Sequence, residues 1–290
     1  MVTKRIIACL TIKDGVVVQS IRFNRYLPVG DPRVAVEFLN SWGIDEIVFL
    51  DINASKFKKE PDYQLIREIS KKCFVPLTVG GGIQSVSQMK KLIRNGADKI
   101  SINTAVIQNM KLIKEASEVL GAQSVIASID AKKNKSGEYE VFINSGKTAT
   151  GMGPQALAKK VAEYGAGEIL LNSIDRDGSK NGYDLALITL VAKEITIPVI
   201  ACGGAGSPEH FLEAFSLEKL GACAAGNFFH FSEHSVITTK AFLRQNNIDV
   251  RLDTYANYSG FEFLNKGRIK KREEKYLDML RFEHIPKEVI

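Results

Sequence analysis

The chain has 290 residues, 45% hydrophobic and 25% charged, the composition of a globular protein with room for one large domain or two ordinary ones. Its net charge of +6 is spread out and no basic stretch is interleaved with aromatics, which argues against nucleic acid and leaves a phosphorylated ligand or an acidic partner. No apolar run approaches the roughly 20 residues of a membrane helix, the first residues do not read as a signal peptide, and Cys9, Cys73, Cys202 and Cys223 are scattered; the expectation is a cytoplasmic protein with no metal site and no cofactor.

Short apolar runs alternate with longer amphipathic segments. Candidate strands fall at 6–10, 46–50, 77–79, 99–102, 125–129, 169–171, 199–201 and 222–225. Candidate helices fall at 32–41, 63–72, 86–95, 110–120, 155–164, 185–194, 208–215 and 234–245. Eight β-α units in about 250 residues predict a (β/α)8 TIM barrel, with a doubly wound open sheet as the alternative. Internal repeats favour the barrel. Gly43-Ile44-Asp45-Glu46-Ile47 resembles Gly165-Ala166-Gly167-Glu168-Ile169, and at the same offset the run from Val75 to Gly82 resembles that from Ile197 to Gly204. Gly96-Ala97 recurs as Gly221-Ala222, and the opening run from Arg5 to Lys13 recurs from Ser124 to Lys132. The chain reads as two half-barrels of four β-α units, residues 1–252, with equivalent loops facing across one mouth. Residues 253–290 belong to neither repeat, and 268–280 reads as a charged helix, with Tyr276, Leu277 and Leu280 as its apolar contacts, packed on the barrel or on a partner.

The strand ends carry the chemistry. The third strand ends in Gly80-Gly81-Gly82 and its repeat in Gly203-Gly204, where backbone N–H groups can approach an anion without a Cβ in the way. The fourth ends in Asn103-Thr104 and its repeat in Gly226-Asn227. Two such cups imply a ligand with a phosphate at each end. Gly178, after the sixth strand, is placed to reach a phosphate, and Asp177 is either a ligand-positioning or a turn carboxylate. At the opposite ends, Arg5, Glu46, Lys99 and Glu168 precede their apolar runs; by strand parity they face inward as a ring of two cations and two carboxylates that plugs or gates the floor. Superposing the repeats sets Thr11 opposite Asp130. His230 and His234 share a helical spacing without a third ligand, and Asn257-Tyr258-Ser259 fits a glycosylation triplet that a cytoplasmic protein leaves unmodified.

These motifs, together with Lys4-Arg5-Ile6-Ile7-Ala8-Cys9-Leu10, Gly96-Ala97-Asp98-Lys99, Ile129-Asp130-Ala131-Lys132 and Ser173-Ile174-Asp175-Arg176-Asp177-Gly178, resemble the HisF family, the cyclase subunits of imidazole glycerol phosphate synthase, over nearly the whole barrel. The resemblance implies a barrel that docks a HisH-like glutaminase on its N-terminal face and takes ammonia through its core to a ribulose-type nucleotide bearing two phosphates. It implies one phosphate site at Gly82, Asn103 and Thr104, another at Gly178, Gly204, Gly226 and Asn227, an ammonia gate of Arg5, Glu46, Lys99 and Glu168, and Asp98 at the glutaminase interface. Two positions depart from the family. Its acid/base pair is an Asp at the end of each of strands one and five; here these are Thr11 and Asp130, and a threonine cannot act as a carboxylate base. Gln19 stands where a lysine is usual in the loop after the first strand. This pattern resembles HisF-like paralogues that supply ammonia to a sugar amidotransferase in surface-polysaccharide (O-antigen) synthesis. The alternative is a working cyclase in histidine biosynthesis; a HisA-type phosphosugar isomerase is a further one, against which the floor ring argues.

Overall fold

The computed structural model describes residues 3–275 other than 55, 56, 58, 231–233, 255, 257, 259, 272 and 274. The first half-barrel runs β1 (Arg5–Lys13), β2 (Val16–Ile21), β3 (Arg25–Gly30), α1 (Pro32–Ser41), β4 (Glu46–Asp51), α2 (Tyr63–Ser70), β5 (Leu77–Gly80), α3 (Val86–Arg94), β6 (Lys99–Ile102), α4 (Thr104–Gln108) and α5 (Lys111–Leu120). The second runs β7 (Val125–Lys133), β8 (Tyr139–Ile143), β9 (Thr148–Ala149), α6 (Pro154–Glu163), β10 (Glu168–Ser173), α7 (Leu185–Ala192), β11 (Val199–Cys202), α8 (Pro208–Phe215), β12 (Leu220–Ala225), α9 (Asn227–His230) and α10 (Ser235–Gln245).

Eight of the strands pair in parallel around a closed cycle, β1-β4-β5-β6-β7-β10-β11-β12 and back to β1, which makes the TIM barrel expected from the sequence. Closure is possible because every barrel strand is buried on both faces, so each has an apolar side for the helical ring and a second for the interior. The outward faces, such as Ile6, Ala8 and Leu10 of β1, join the helices in one core. The inward faces form a second, smaller cluster of Ile7, Cys9, Val48, Ile126, Leu170, Ile200, Ala222 and Ala224.

Helix starts follow from local chemistry. Asp31, Asp62, Ser85 and Asp184 cap α1, α2, α3 and α7 by accepting from the first-turn amides of Arg33, Leu65, Gln88 and Leu187, and Pro32, Pro154 and Pro208 stand in first turns where no N–H is needed.

The half-barrel repeat is visible in one feature the apolar periodicity did not reveal. Each half opens with a strand that continues into an antiparallel hairpin over the mouth: β2–β3 after β1, and β8–β9 after β7. Gln19, expected in a loop, is a strand residue paired with Leu27. The turn Arg22-Phe23 has positive φ at both residues, 52° and 53°, without a glycine. Asn144 and Ser145 repeat the pattern at 54° and 56°.

Residues after α10 return to the floor, where Lys4 bridges Val250, and then climb the outside of α10. Gln245 donates to the carbonyl of Leu264, and Gly267 fits against the Thr238 carbonyl where a Cβ would stand at 2.1 Å. The expected helix from 268 is corrected for its described start: residues 268–271 are not helical, because Lys266 and Gly267 turn at φ 64° and 71° and Ile269 pairs back with Phe263. Tyr276, Leu277 and Leu280 lie outside the described residues, as do Asn257 and Ser259. No helix among the described residues is long and apolar enough to cross a membrane.

Candidate active site

A cavity opens at the C-terminal ends of the strands, where loops rather than strands set the lining. It brings together Thr11, Asp130, Gly82, Asn103, Thr104, Gly178, Gly204, Gly226 and Asn227, all proposed from the sequence, with Asp177 beside them. The same wall contains residues the sequence reading passed over: Ser20, Phe23 and Tyr26 of the first hairpin, Ser145 of the second, and Asp51, Ser101, Ser128, Asn172 and Cys202 on the barrel. Strand parity would have found Asn172, because β10 turns Glu168, Leu170 and Asn172 to one face.

Asp130 is the buried carboxylate of this cavity, 7% exposed. Its Oδ1 accepts from Asn172 Nδ2 at 2.8 Å and its Oδ2 from Asn103 Nδ2 at 3.0 Å. Burial raises its pKa from the ordinary 3.8 to about 6; the two amide donors oppose the rise and the charge of Asp177 adds to it. The group therefore changes protonation close to neutral pH, as a proton-transfer group needs. Thr11, the register partner of Leu50 on β4, presents a hydroxyl on the same wall and no second carboxylate.

The glycines have distinct reasons. Gly81 and Gly82 take φ of 112° and 69°, and a Cβ on Gly81 would stand 2.2 Å from the Asp51 carbonyl. Gly204 has φ 104° and lies against the Gly182 backbone. Gly226 lets β12 approach the Cys9 carbonyl. Thr104 Oγ1 accepts from Asn144 N of the second hairpin at 3.3 Å. The Cys202 thiol, hydrogen-bonded to Cys9 across the interior, is held well above its ordinary pKa by that bond and by burial, so it is a thiol rather than a nucleophilic thiolate.

At the other end, parity placed the charges correctly. Lys99 Nζ lies 3.1 Å from Glu46 and 2.9 Å from Glu168, while Arg5 bonds Glu46 at 2.9 Å and Glu168 more closely still. Thr78 Oγ1 adds a bond to Glu46 at 3.0 Å. Burial would raise the Glu168 pKa, but its bonds to Arg5 and Lys99 outweigh that and hold it below the ordinary value. Between ring and cavity runs the apolar inner cluster, where Ala222, Ala224 and Cys9 are small. Asp98 is exposed beside Lys99 on this face, with one carboxylate oxygen accepting the Leu77 amide at 2.8 Å. Asp45 does the same for the Ile6 amide at 2.8 Å, and also pairs with buried Lys240.

Known proteins agree with this architecture. The family model described as "Histidine biosynthesis protein" matches residues 5–235. Three relatives named imidazole glycerol phosphate synthase subunit HisF are 46% identical over 252 residues in Hydrogenobaculum sp. (strain Y04AAS1), 47% over 253 in Clostridium botulinum (strain Okra / Type B1) and 44% over 252 in Bacillus cereus (strain Q1). Each alignment spans 87% of this chain and 100% of the relative, so the whole relative is accounted for before this chain's 290 residues are. On a match that covers the eight-stranded barrel and the relatives' full length, the chain belongs to the histidine biosynthesis protein family, among its HisF members.

Proposed function

We propose that this chain is the ammonia-using barrel subunit of an imidazole glycerol phosphate synthase, with Asp130 as its single proton-transfer carboxylate. The observation that carries the reading is one axis: a charged ring, an apolar inner cluster whose small members are Cys9, Ala222 and Ala224, and a set of glycine turns around a buried carboxylate. The cluster favours neutral ammonia over ammonium, because an unpaired cation loses its hydration there. Gly82, Asn103 and Thr104 on one side and Gly178, Gly204 and Gly226 on the other would hold the two phosphates, with backbone N–H groups as donors. Ammonia arriving between them adds to the carbonyl of the bound sugar, and Asp130 takes and returns the proton. Arg5, Glu46, Lys99 and Glu168 form the gate on the face where a HisH-type glutaminase docks, with Asp98 at its rim.

Thr11 limits this chemistry. Loss of one positioned acid/base group lowers rate by about 10²–10⁴. The test is loss of the ribulose nucleotide in the presence of ammonium salt, with wild type and Thr11→Asp compared. Slow turnover in the wild type and a gain of at least tenfold in Thr11→Asp is the expected result. No turnover by either chain refutes the cyclase reading.

The same Thr11, with Gln19 on the first hairpin, favours a second reading: a paralogue that passes ammonia to a sugar amidotransferase for surface polysaccharide. Residues 1–252 would then be the conduit, and the extension from 253, which the relatives lack room for, would contact the third enzyme. That reading requires ammonia delivery from glutamine with no nucleotide turnover in either chain.

A further inference from the structure

The β2–β3 hairpin reaches over the cavity and contributes Ser20, Phe23 and Tyr26 to its wall. Its tip meets the second hairpin: a Cβ on Gly146 would come within 3.2 Å of Phe23 and of Ile174. The tip is strained, because Arg22 and Phe23 both take left-handed backbone without being glycine or asparagine. Such a conformation persists only where neighbours over-determine it.

The neighbours are on the opposite half-barrel. Asn227 pairs with the backbone of Ser20 in both directions: Ser20 N donates to Oδ1 at 3.2 Å, and Nδ2 donates to the Ser20 carbonyl at 2.8 Å. Asp177 takes the rest. Its Oδ2 accepts from Ser20 Oγ at 2.6 Å and from Phe23 N at 3.1 Å, and its carbonyl accepts from Arg22 N at 3.1 Å. Gly178 permits the approach, since a Cβ there would stand 2.5 Å from the Ser20 carbonyl. In the other half, the equivalent residue Thr104 accepts from Asn144 N at 3.3 Å, and Ser145 Oγ of that hairpin donates to the Ile52 carbonyl at 3.1 Å.

We infer that Asn227 and Asp177 are positioning residues that fasten the β2–β3 hairpin closed over the cavity, and that Asn227 is engaged by the hairpin backbone rather than by a ligand phosphate. An asparagine amide offers one acceptor and two donors in a fixed plane, and here its acceptor and one donor are used by the peptide groups flanking one residue. The fastening stands on geometry alone; its consequence, a preformed lid for the reaction, rests on the function proposed above.

Limited trypsin digestion of the full chain reads the lid directly, because the hairpin carries exposed Arg22 and Arg25 as its own cleavage sites. Cleavage at these two sites, followed by mass spectrometry, is expected to speed up on the order of tenfold in Asn227→Ala, which removes two neutral hydrogen bonds, and in Asp177→Asn. Cleavage elsewhere should keep its rate. Binding of inorganic pyrophosphate, measured by calorimetry, should fall less than threefold in Asn227→Ala. Unchanged hairpin cleavage, or a loss of pyrophosphate affinity without faster cleavage, overturns the inference. If the variants do not fold, hydrogen exchange of the wild type decides: the Ser20, Arg22 and Phe23 amides should exchange at least tenfold more slowly than that of Gly15, and parity among them overturns it. None of these three readouts depends on turnover, so a failed cyclase assay leaves this test intact.

Discussion

Replacing Asp130 by asparagine tests the environment on which the proposed chemistry depends. Asp130 is 7% exposed, and burial sets its pKa near 6 against an ordinary 3.8. The folded value lies above the unfolded one, so the folded state holds this proton more tightly. Stability from this group is fully present below pH 3.8 and is lost as pH rises through 6. At about 1.4 kcal/mol per tenfold change in proton affinity, the ionised carboxylate lowers stability above pH 6 by roughly 3 kcal/mol relative to the protonated form. Asp130→Asn removes the titration and keeps the shape. It also changes the bonds to Asn103 and Asn172, but that contribution does not vary with pH. Urea unfolding of both chains at pH 4 and pH 8 separates the two. The stability of Asp130→Asn relative to wild type should improve by about 2–3 kcal/mol between pH 4 and pH 8, and the wild-type carboxyl carbon should titrate with a midpoint near 6 by NMR. A constant difference between the chains, with a midpoint below 4.5, would refute the buried-base argument.

Lys240, 1% exposed on α10, donates to Asp45 Oδ1 at 2.5 Å and to the Gly43 carbonyl at 2.6 Å, so Lys240→Met strands a buried carboxylate; a loss of about 3–5 kcal/mol in urea unfolding is expected, and a loss below 1 kcal/mol would show that Asp45 is satisfied by the Ile6 amide alone. Lys99→Met removes a cation shared by Glu46 and Glu168; in a complex with a HisH-type glutaminase, the glutamine-fed rate should fall at least fivefold more than the ammonium-fed rate, and equal losses would remove the gate.

Much of the barrel was legible because its signals are local and repeated. Apolar runs gave eight strands, and the repeat of the segment around Glu46 by that around Glu168 gave the half-barrel symmetry before any contact was known. Parity then put Arg5 and its three partners in one ring, since inward and outward positions alternate along a strand. The mouth hairpins escaped because the first one's turn, Arg22-Phe23-Asn24, has no glycine to mark it; the left-handed backbone there is imposed from outside, by Asp177, which lies 154 residues from Phe23. The extension escaped because nothing in the chain repeats it, and its charges suggested a helix where Gly267 docking on α10 makes a turn. Asn227 shows what symmetry can and cannot supply. Superposing the halves put it opposite Thr104, and both do stand at the cavity beneath a hairpin. Symmetry gave the place but not the partner, because an amide that can serve a phosphate as donor can equally pair with a strand backbone. Which of the two it meets depends on Ser20, 207 residues away in the chain, and no pattern within either repeat records that meeting.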